Sequence, residues 1–348
     1  MSQQAIIAKA PVVNDDFSTL VQVEVPVPVP TGHDVLIKVK AVATNPVDTK
    51  VLNGSIGFVA SEEKPIQVGW DGAGIVDAVG EGVTLFKVGD EVYFSGSLTR
   101  PGSFADSVLV DERIVALKPT KYSFADAAAL PLTTITAWEA LIKLLVIPIP
   151  KTEEEKAANA SKSILIVAGA GGVGSIAIQI AKRLLNLQVI ATASRDDTIK
   201  WVKEKGADHT INHHQPLFPQ IQGLGLSGVN YILSCTDITA KNFPEFVESS
   251  LPFGRIAFIT SNNENVNIGS IMWKSLSISG ELMFTRPTTG IDIAYQHELL
   301  TQAAKLFDDG VFSRTKNYEF EYNLENFQKA LKLQASGSAI GKIVLVKN

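Results

Sequence analysis

The stretch richest in chemistry is Ile164-Leu-Ile-Val-Ala-Gly169-Ala-Gly171-Gly172-Val173-Gly174, which runs on into Ser-Ile-Ala-Ile-Gln-Ile-Ala-Lys182. Gly169, Gly171 and Gly174 form G-x-G-x-x-G between an apolar strand and an amphipathic helix. That spacing suits a dinucleotide pyrophosphate. The first glycine permits a tight turn, the second lets backbone approach the phosphates, and the third lets helix and strand pack closely. Gly172 and Val173 would open the helix, whose free N–H groups attract an anion. No Gly-Lys-Ser/Thr ending follows, which argues against a nucleoside triphosphate loop. A purely structural tight turn is the plain alternative.

The type of dinucleotide follows from the next strand, Gln188-Val-Ile-Ala-Thr192, which continues as Ala193-Ser194-Arg195. An NAD-preferring site usually carries a carboxylate at this tip to bind the ribose hydroxyls. Here a hydroxyl and an arginine stand at the tip, with Lys200 one turn further, a set that fits a 2′-phosphate. NADPH is therefore the expected cofactor. Ser194 could instead be a turn residue and Asp196 or Asp197 a helix N-cap. An Asp196 that bends back to the ribose would favour NADH.

The elements that must position this loop can be read from the pattern. From Met1 to about Ser123, short alternating runs such as Val35–Ala41 and Ala73–Val79 are broken by Pro and Gly, which predicts a mostly antiparallel β-domain. Helical spacing begins near Phe124. From Ser163 strands alternate with helices: Ile164–Val167, Gly174–Leu185, Gln188–Thr192, Asp197–Gly206, then strands Tyr231–Ser234 and Arg255–Ile259. This is the signature of a doubly wound parallel sheet. The polar run Lys151–Lys156 reads as a solvated loop or helix start. The C-terminal part predicts helix Glu298–Phe307, a strand-like Tyr318–Glu321, helix Leu324–Leu333 and a last strand Ile343–Val346.

The 348 residues suggest two domains. Hydrophobic residues make up 45 % and charged residues 19 %, as in globular chains. A net charge of −5 gives no basic footprint for nucleic acid. Neither a membrane span nor a signal peptide is expected from the hydropathy pattern. With Cys235 as the single cysteine, an internal disulfide is impossible and a Cys-rich metal site is excluded. A reducing cytoplasm is the expected setting.

Several motifs occur in one order: Asn45-Pro-Val-Asp-Thr-Lys50, Gly69-Trp-Asp-Gly-Ala-Gly74, Val88-Gly-Asp-Glu-Val92, Leu130–Leu141, the glycine loop and Gly341-Lys-Ile-Val-Leu345. In this the chain resembles the medium-chain dehydrogenase/reductase superfamily, most closely its quinone-oxidoreductase and zinc-type alcohol dehydrogenase-like branch. The resemblance implies an α/β fold with a GroES-like β-rich catalytic domain (1–125 and 291–348) and an inserted Rossmann domain (126–290). It also implies a cofactor between them and a homodimer joined near Ser277–Met283. Zinc-dependent members present Cys-x-x-Asp, Gly-His-Glu and a further Cys. The matching positions here hold Asn45, Trp70 and Leu132, which are not a zinc set. No metal is expected.

Four residues are candidates for the reacting end. Asn45 is expected to hydrogen-bond a substrate oxygen, unless it is an Asn-Pro turn residue. Lys50 stands where many quinone reductases have Tyr and could stabilise an enolate, although a solvated lysine is the ordinary case. Trp70 would wall the vacated metal pocket or simply fill core. Thr133, like Thr136, would touch the cofactor or cap its helix. Cys235 and Thr236 end a Rossmann strand, where ligands collect, and the resemblance assigns further cofactor contacts to His213, Ile259, Phe284 and Lys342. The expected activity is zinc-independent, NADPH-dependent hydride transfer to an enone, enal or quinone. Alternatives are reduction of simple aldehydes or enoyl thioesters, and a non-catalytic NADPH-binding sensor or crystallin-like protein.

Overall fold

The computed structural model describes residues 1–260, 262 and 264–347. The chain divides into two units, 1–132 with 284–309 and 314–348, and 133–283 with 310–313.

The first unit is built on a seven-stranded sheet. Its main path runs Lys316–Glu321, Lys342–Val346, Asp34–Ala43, Asp71–Val79, Glu91–Ser95 and Val115–Leu117, with Ser107–Asp111 paired to Asp34–Ala43. Every pairing is antiparallel except Lys316–Glu321 with Lys342–Val346. Strand Asp71–Val79 begins Asp-Gly-Ala-Gly because its neighbours leave no room for side chains. A Cβ on Gly74 would lie 2.2 Å from the Lys38 carbonyl oxygen. Separately, Ser2–Ala8 and Leu20–Pro26 form a two-stranded antiparallel pair.

The second unit is a six-stranded, wholly parallel sheet. The strand order is His209–Ile211, Gln188–Thr192, Ser163–Val167, Val229–Ser234, Ser250–Phe258 and Ser277–Gly280. Its central strand is buried at all five positions, as a parallel strand covered on both faces must be. The order reverses between Ser163–Val167 and Val229–Ser234, and at such a switch point the crevice at the strands' C-terminal ends receives ligands. The expected helices appear as Gly172–Gln179 and Asp196–Lys205. The polar run after Lys151 is a helix, Glu153–Ala160, with Thr152 and Glu155 forming a capping box. Two helices end in π-helical turns, Glu139–Leu144 and Ile180–Leu184, which the apolar periodicity did not reveal. No described helix is long and apolar enough to cross a membrane.

Candidate active site

The glycine loop sits at the C-terminal end of the central strand Ser163–Val167. Ala168 takes a left-handed conformation (φ 58°), a strained choice for a residue with a side chain. Thr192, ending the neighbouring strand, holds the turn: its Oγ1 accepts the Ala168 N–H at 2.8 Å and its carbonyl accepts the Gly169 N–H at 3.2 Å. The glycines are not equivalent. A Cβ on Gly174 would lie 2.6 Å from the carbonyl oxygens of Ala168 and Gly169, so that position admits glycine alone. A Cβ on Gly171 would meet nothing closer than 3.5 Å. Gly171, Gly172 and Val173 form a partly exposed lip at the N-terminus of helix Gly172–Gln179. These features fit a pyrophosphate better than a purely structural turn.

On one side of the loop lie Ser194, Arg195 and Lys200. Arg195 is the N-cap of helix Asp196–Lys205 and exposed, with its Nε 3.2 Å from Asp197. Asp196 is exposed in the first turn. His213 stacks on His214 with ring centroids 4.1 Å apart. Burial, then His214 and Arg195, lower its pKa from the usual histidine value. His213 and Arg195 are thus electrostatic neighbours although 18 positions separate them in the chain. On the other side, the Cys235 N–H donates to the Val167 carbonyl at 3.3 Å, and the Ile259 N–H to the Ser234 carbonyl at 3.2 Å. Thr236 Oγ1 lies 3.1 Å from Ser234 Oγ. Thr133, in helix Pro131–Trp138, is buried.

The first unit contains a buried polar cluster. Asn45 precedes helix Pro46–Leu52, and Asp48 in its first turn accepts the Asn45 N–H at 2.6 Å and the Gly69 N–H at 3.0 Å. Burial pushes the Asp48 carboxyl up to about 7 against these two donors. Lys342 is 3 % exposed, and its ammonium spans three acceptors: Asp71 Oδ2 at 2.9 Å, the Thr44 carbonyl at 2.8 Å, and Asn45 Oδ1. Asp71 is fully buried. It also accepts Asn45 Nδ2 at 2.8 Å and the Leu132 N–H at 2.7 Å.

The three N–H donors of Lys342 are all directed to acceptors inside the first unit. Both ends of the Asn45 side-chain amide are engaged, by Lys342 and Asp71. Trp70 is buried core: its Nε1 donates to the Ser97 carbonyl at 3.0 Å, and Phe284 packs edge-on with centroids 5.9 Å apart. Lys50 is half-exposed in the last turn of helix Pro46–Leu52.

Two family models match the chain, an alcohol dehydrogenase GroES-like domain over 31–120 and a zinc-binding dehydrogenase over 172–296. A zinc-type alcohol dehydrogenase-like protein of Staphylococcus aureus is 39 % identical over 91 % of this chain and 92 % of its own length. The chain belongs to the medium-chain dehydrogenase/reductase superfamily. A crystal structure of a putative zinc-dependent alcohol dehydrogenase from Rhizobium etli superposes with a TM-score of 0.91 at 42 % identity, covering 99 % of this chain and 98 % of that one. The chloroplastic NADPH-dependent alkenal/one oxidoreductase of Arabidopsis thaliana is 41 % identical over 51 % of this chain and 45 % of its own length. The chain is accordingly an oxidoreductase of this superfamily.

The family-model description implies zinc, and the donor set does not fit it. Asn45, Trp70 and Leu132 offer an amide already engaged, an indole that only donates, and a hydrocarbon. Of the carboxylates beside them, Asp71 is paired with an ammonium 2.9 Å away, and Asp48 accepts the Asn45 and Gly69 N–H groups. Among the described residues no group of three His, Cys, Asp or Glu side chains could hold a metal. The sequence reading missed Asp71, Asp48, Glu139 and Glu281. A carboxylate directly after Trp70, inside an otherwise apolar and glycine-rich strand start, is the signal that could have found Asp71.

Proposed function

We propose that this superfamily member is a zinc-independent, NADPH-dependent reductase that directs hydride to the β-carbon of a conjugated carbonyl compound, an enone, enal or quinone. The observation that carries the reading is that Asn45, at one position where zinc-dependent members hold a metal donor, is tied instead into a buried cluster with Lys342 and Asp71. NADPH supplies the hydride when bound. The chain supplies the backbone N–H groups of Gly171–Val173 for the pyrophosphate, and Ser194, Arg195 and Lys200 for the 2′-phosphate. Reduction of a simple aldehyde concentrates charge on one oxygen and calls for a Lewis acid. A conjugated acceptor spreads that charge, so one or two hydrogen bonds suffice. The likeness to the alkenal/one oxidoreductase supports the same substrate class.

The protein is proposed to act as a homodimer in the cytoplasm. Among the described residues strand Ser277–Gly280 pairs only with Ser250–Phe258, and an unpaired edge is a template for a second copy. Beside it Trp273 is 95 % exposed, with Met272 and Leu282 also exposed.

Fluorescence titration with NADPH and NADH tests the cofactor. At least about tenfold tighter NADPH, roughly 1.4 kcal/mol, is expected. Steady-state NADPH oxidation is then followed with an enone, an enal, a quinone and a saturated aldehyde, with and without a zinc chelator. Turnover of the conjugated acceptors that ignores the chelator is the expected result. Turnover of the aldehyde alone, abolished by the chelator, would sink the reading.

A further inference from the structure

The C-terminal rim of the parallel sheet carries a second acidic feature outside the cluster described above. Glu281 follows the edge strand Ser277–Gly280, and its N–H donates to the Phe258 carbonyl at 2.8 Å. Its side chain is buried, with the residue 6 % exposed, and among the described residues its Oε1 has no hydrogen-bond partner. Buried Glu139, at the start of the π-helical turn, lies close enough to act on it electrostatically. Cys235 is also within its electrostatic reach: burial, then Glu281, pushes that thiol up to about 12.

An orphaned buried oxygen costs on the order of 1–3 kcal/mol. A fold retains such a group most readily where a ligand completes it. Burial, and then the charge of Glu139, hold the Glu281 carboxyl well above the usual carboxylate range. In its protonated form it offers one O–H donor and one carbonyl acceptor. The complementary partner is a group with the same pair reversed, which is a primary amide.

The rim itself orders the binding groups. Arg195 and His213 follow the two outer strands on one side, the glycine loop follows the central strand, and Cys235 lies just past the switch point. Glu281 is furthest along, after strand Ser277–Gly280. A dinucleotide with its 2′-phosphate at Arg195 and its pyrophosphate at the loop directs its remaining half toward Cys235 and Glu281. We propose that Glu281 recognises the carboxamide of the nicotinamide ring, donating to the amide oxygen and accepting from the amide N–H. This rests on the NADPH reading above.

The test compares NADPH with 2′-phospho-ADP-ribose, which keeps the adenosine, phosphates and 2′-phosphate but lacks nicotinamide. Glu281→Met removes both hydrogen-bonding functions at similar length, and Glu281→Gln keeps a donor and an acceptor. With Met, NADPH is expected to bind about tenfold weaker while 2′-phospho-ADP-ribose stays within about twofold. The melting temperature of the nucleotide-free Met variant should equal or exceed that of the wild type, because hydrocarbon replaces an orphaned carboxyl. With Gln, NADPH should stay within about threefold. Equal losses for both ligands with Met, no loss for either, or a tenfold loss with Gln at an unchanged melting temperature would overturn the assignment. The Gln arm decides if the Met variant does not fold. Failure of the wild type to bind either NADPH or NADH removes the cofactor reading and this one with it. Tight wild-type binding that the Met substitution leaves intact removes this one alone.

Discussion

Replacing Lys342 with Met tests the buried cluster directly. The ammonium is 3 % exposed, and its partner Asp71 is fully buried. Removing it strands the carboxylate and withdraws one donor each from the Thr44 carbonyl and Asn45 Oδ1. Breaking a buried ion pair from one side costs roughly 3–5 kcal/mol, more than an exposed pair contributes, because the remaining charge stays desolvated. The separate losses at Thr44 and Asn45 fall within that range rather than adding to it, since all three acceptors share one donor group. At about 2–4 °C per kcal/mol for a unit of this size, the first unit's melting transition should fall by about 6–20 °C.

The control is Lys342→Met combined with Asp71→Asn. Asn keeps an oxygen for the Leu132 N–H, 2.7 Å from Asp71 in the wild type. Its amide N–H can meet Asn45 Oδ1, released by the loss of Lys342. The double variant should therefore recover most of the lost stability, as measured by differential scanning calorimetry at neutral pH. A single variant that melts within about 2 °C of the wild type would refute the reasoning. So would a double variant no more stable than the single one, because the penalty would then not come from a stranded charge.

Three further outcomes follow from the geometry. Gly174→Ala should disturb the loop and abolish nucleotide binding, because its Cβ would stand 2.6 Å from two carbonyl oxygens. Gly171→Ala should fold normally and weaken NADPH alone; calorimetry and fluorescence titration separate the two. Asp48 titrates near 7 in the folded chain against an ordinary 3.8, so the unfolded chain releases that proton first. Stability should then fall as pH rises between about 4 and 7, by at most ~1.4 kcal/mol per unit, and level off above; Asp48→Asn should flatten this window in urea midpoints taken across it. Trp273→Asp should convert the proposed dimer to a monomer in light scattering with its far-UV spectrum unchanged, and a wild type that is already monomeric would contradict the proposed edge pairing.

The fold was legible where its signals are local. The glycine loop, the strand Ser163–Val167 before it and the helix after it lie within about twenty consecutive residues, so spacing alone identifies them. Strand His209–Ile211 escaped because three residues carry no periodicity, and helix Leu217–Gly223 because Pro219 interrupts its pattern. The buried cluster was illegible for a different reason. Lys342 is 271 positions from Asp71 and 297 from Asn45, so no window contains them together. Lysine is also ordinarily solvated, and only the pairing overrides that preference. Glu281 stands between a glycine and a leucine with no local pattern that marks it for burial.

The same cluster bears on what the enzyme can reduce. A catalytic zinc keeps an open position and so can polarise a substrate oxygen directly. The Lys342 ammonium is also a cation, but its three donors end on Asp71, Thr44 and Asn45, and at 3 % exposure it offers no fourth direction to a ligand. It therefore fixes the strand ends and the helix start without acting as a Lewis acid. On the proposed reading, the oxygen that gains charge is met by weaker neutral donors. That arrangement favours acceptors whose negative charge is already delocalised through a conjugated system and disfavours simple carbonyls, whose reduction would need the localised cation this site has enclosed.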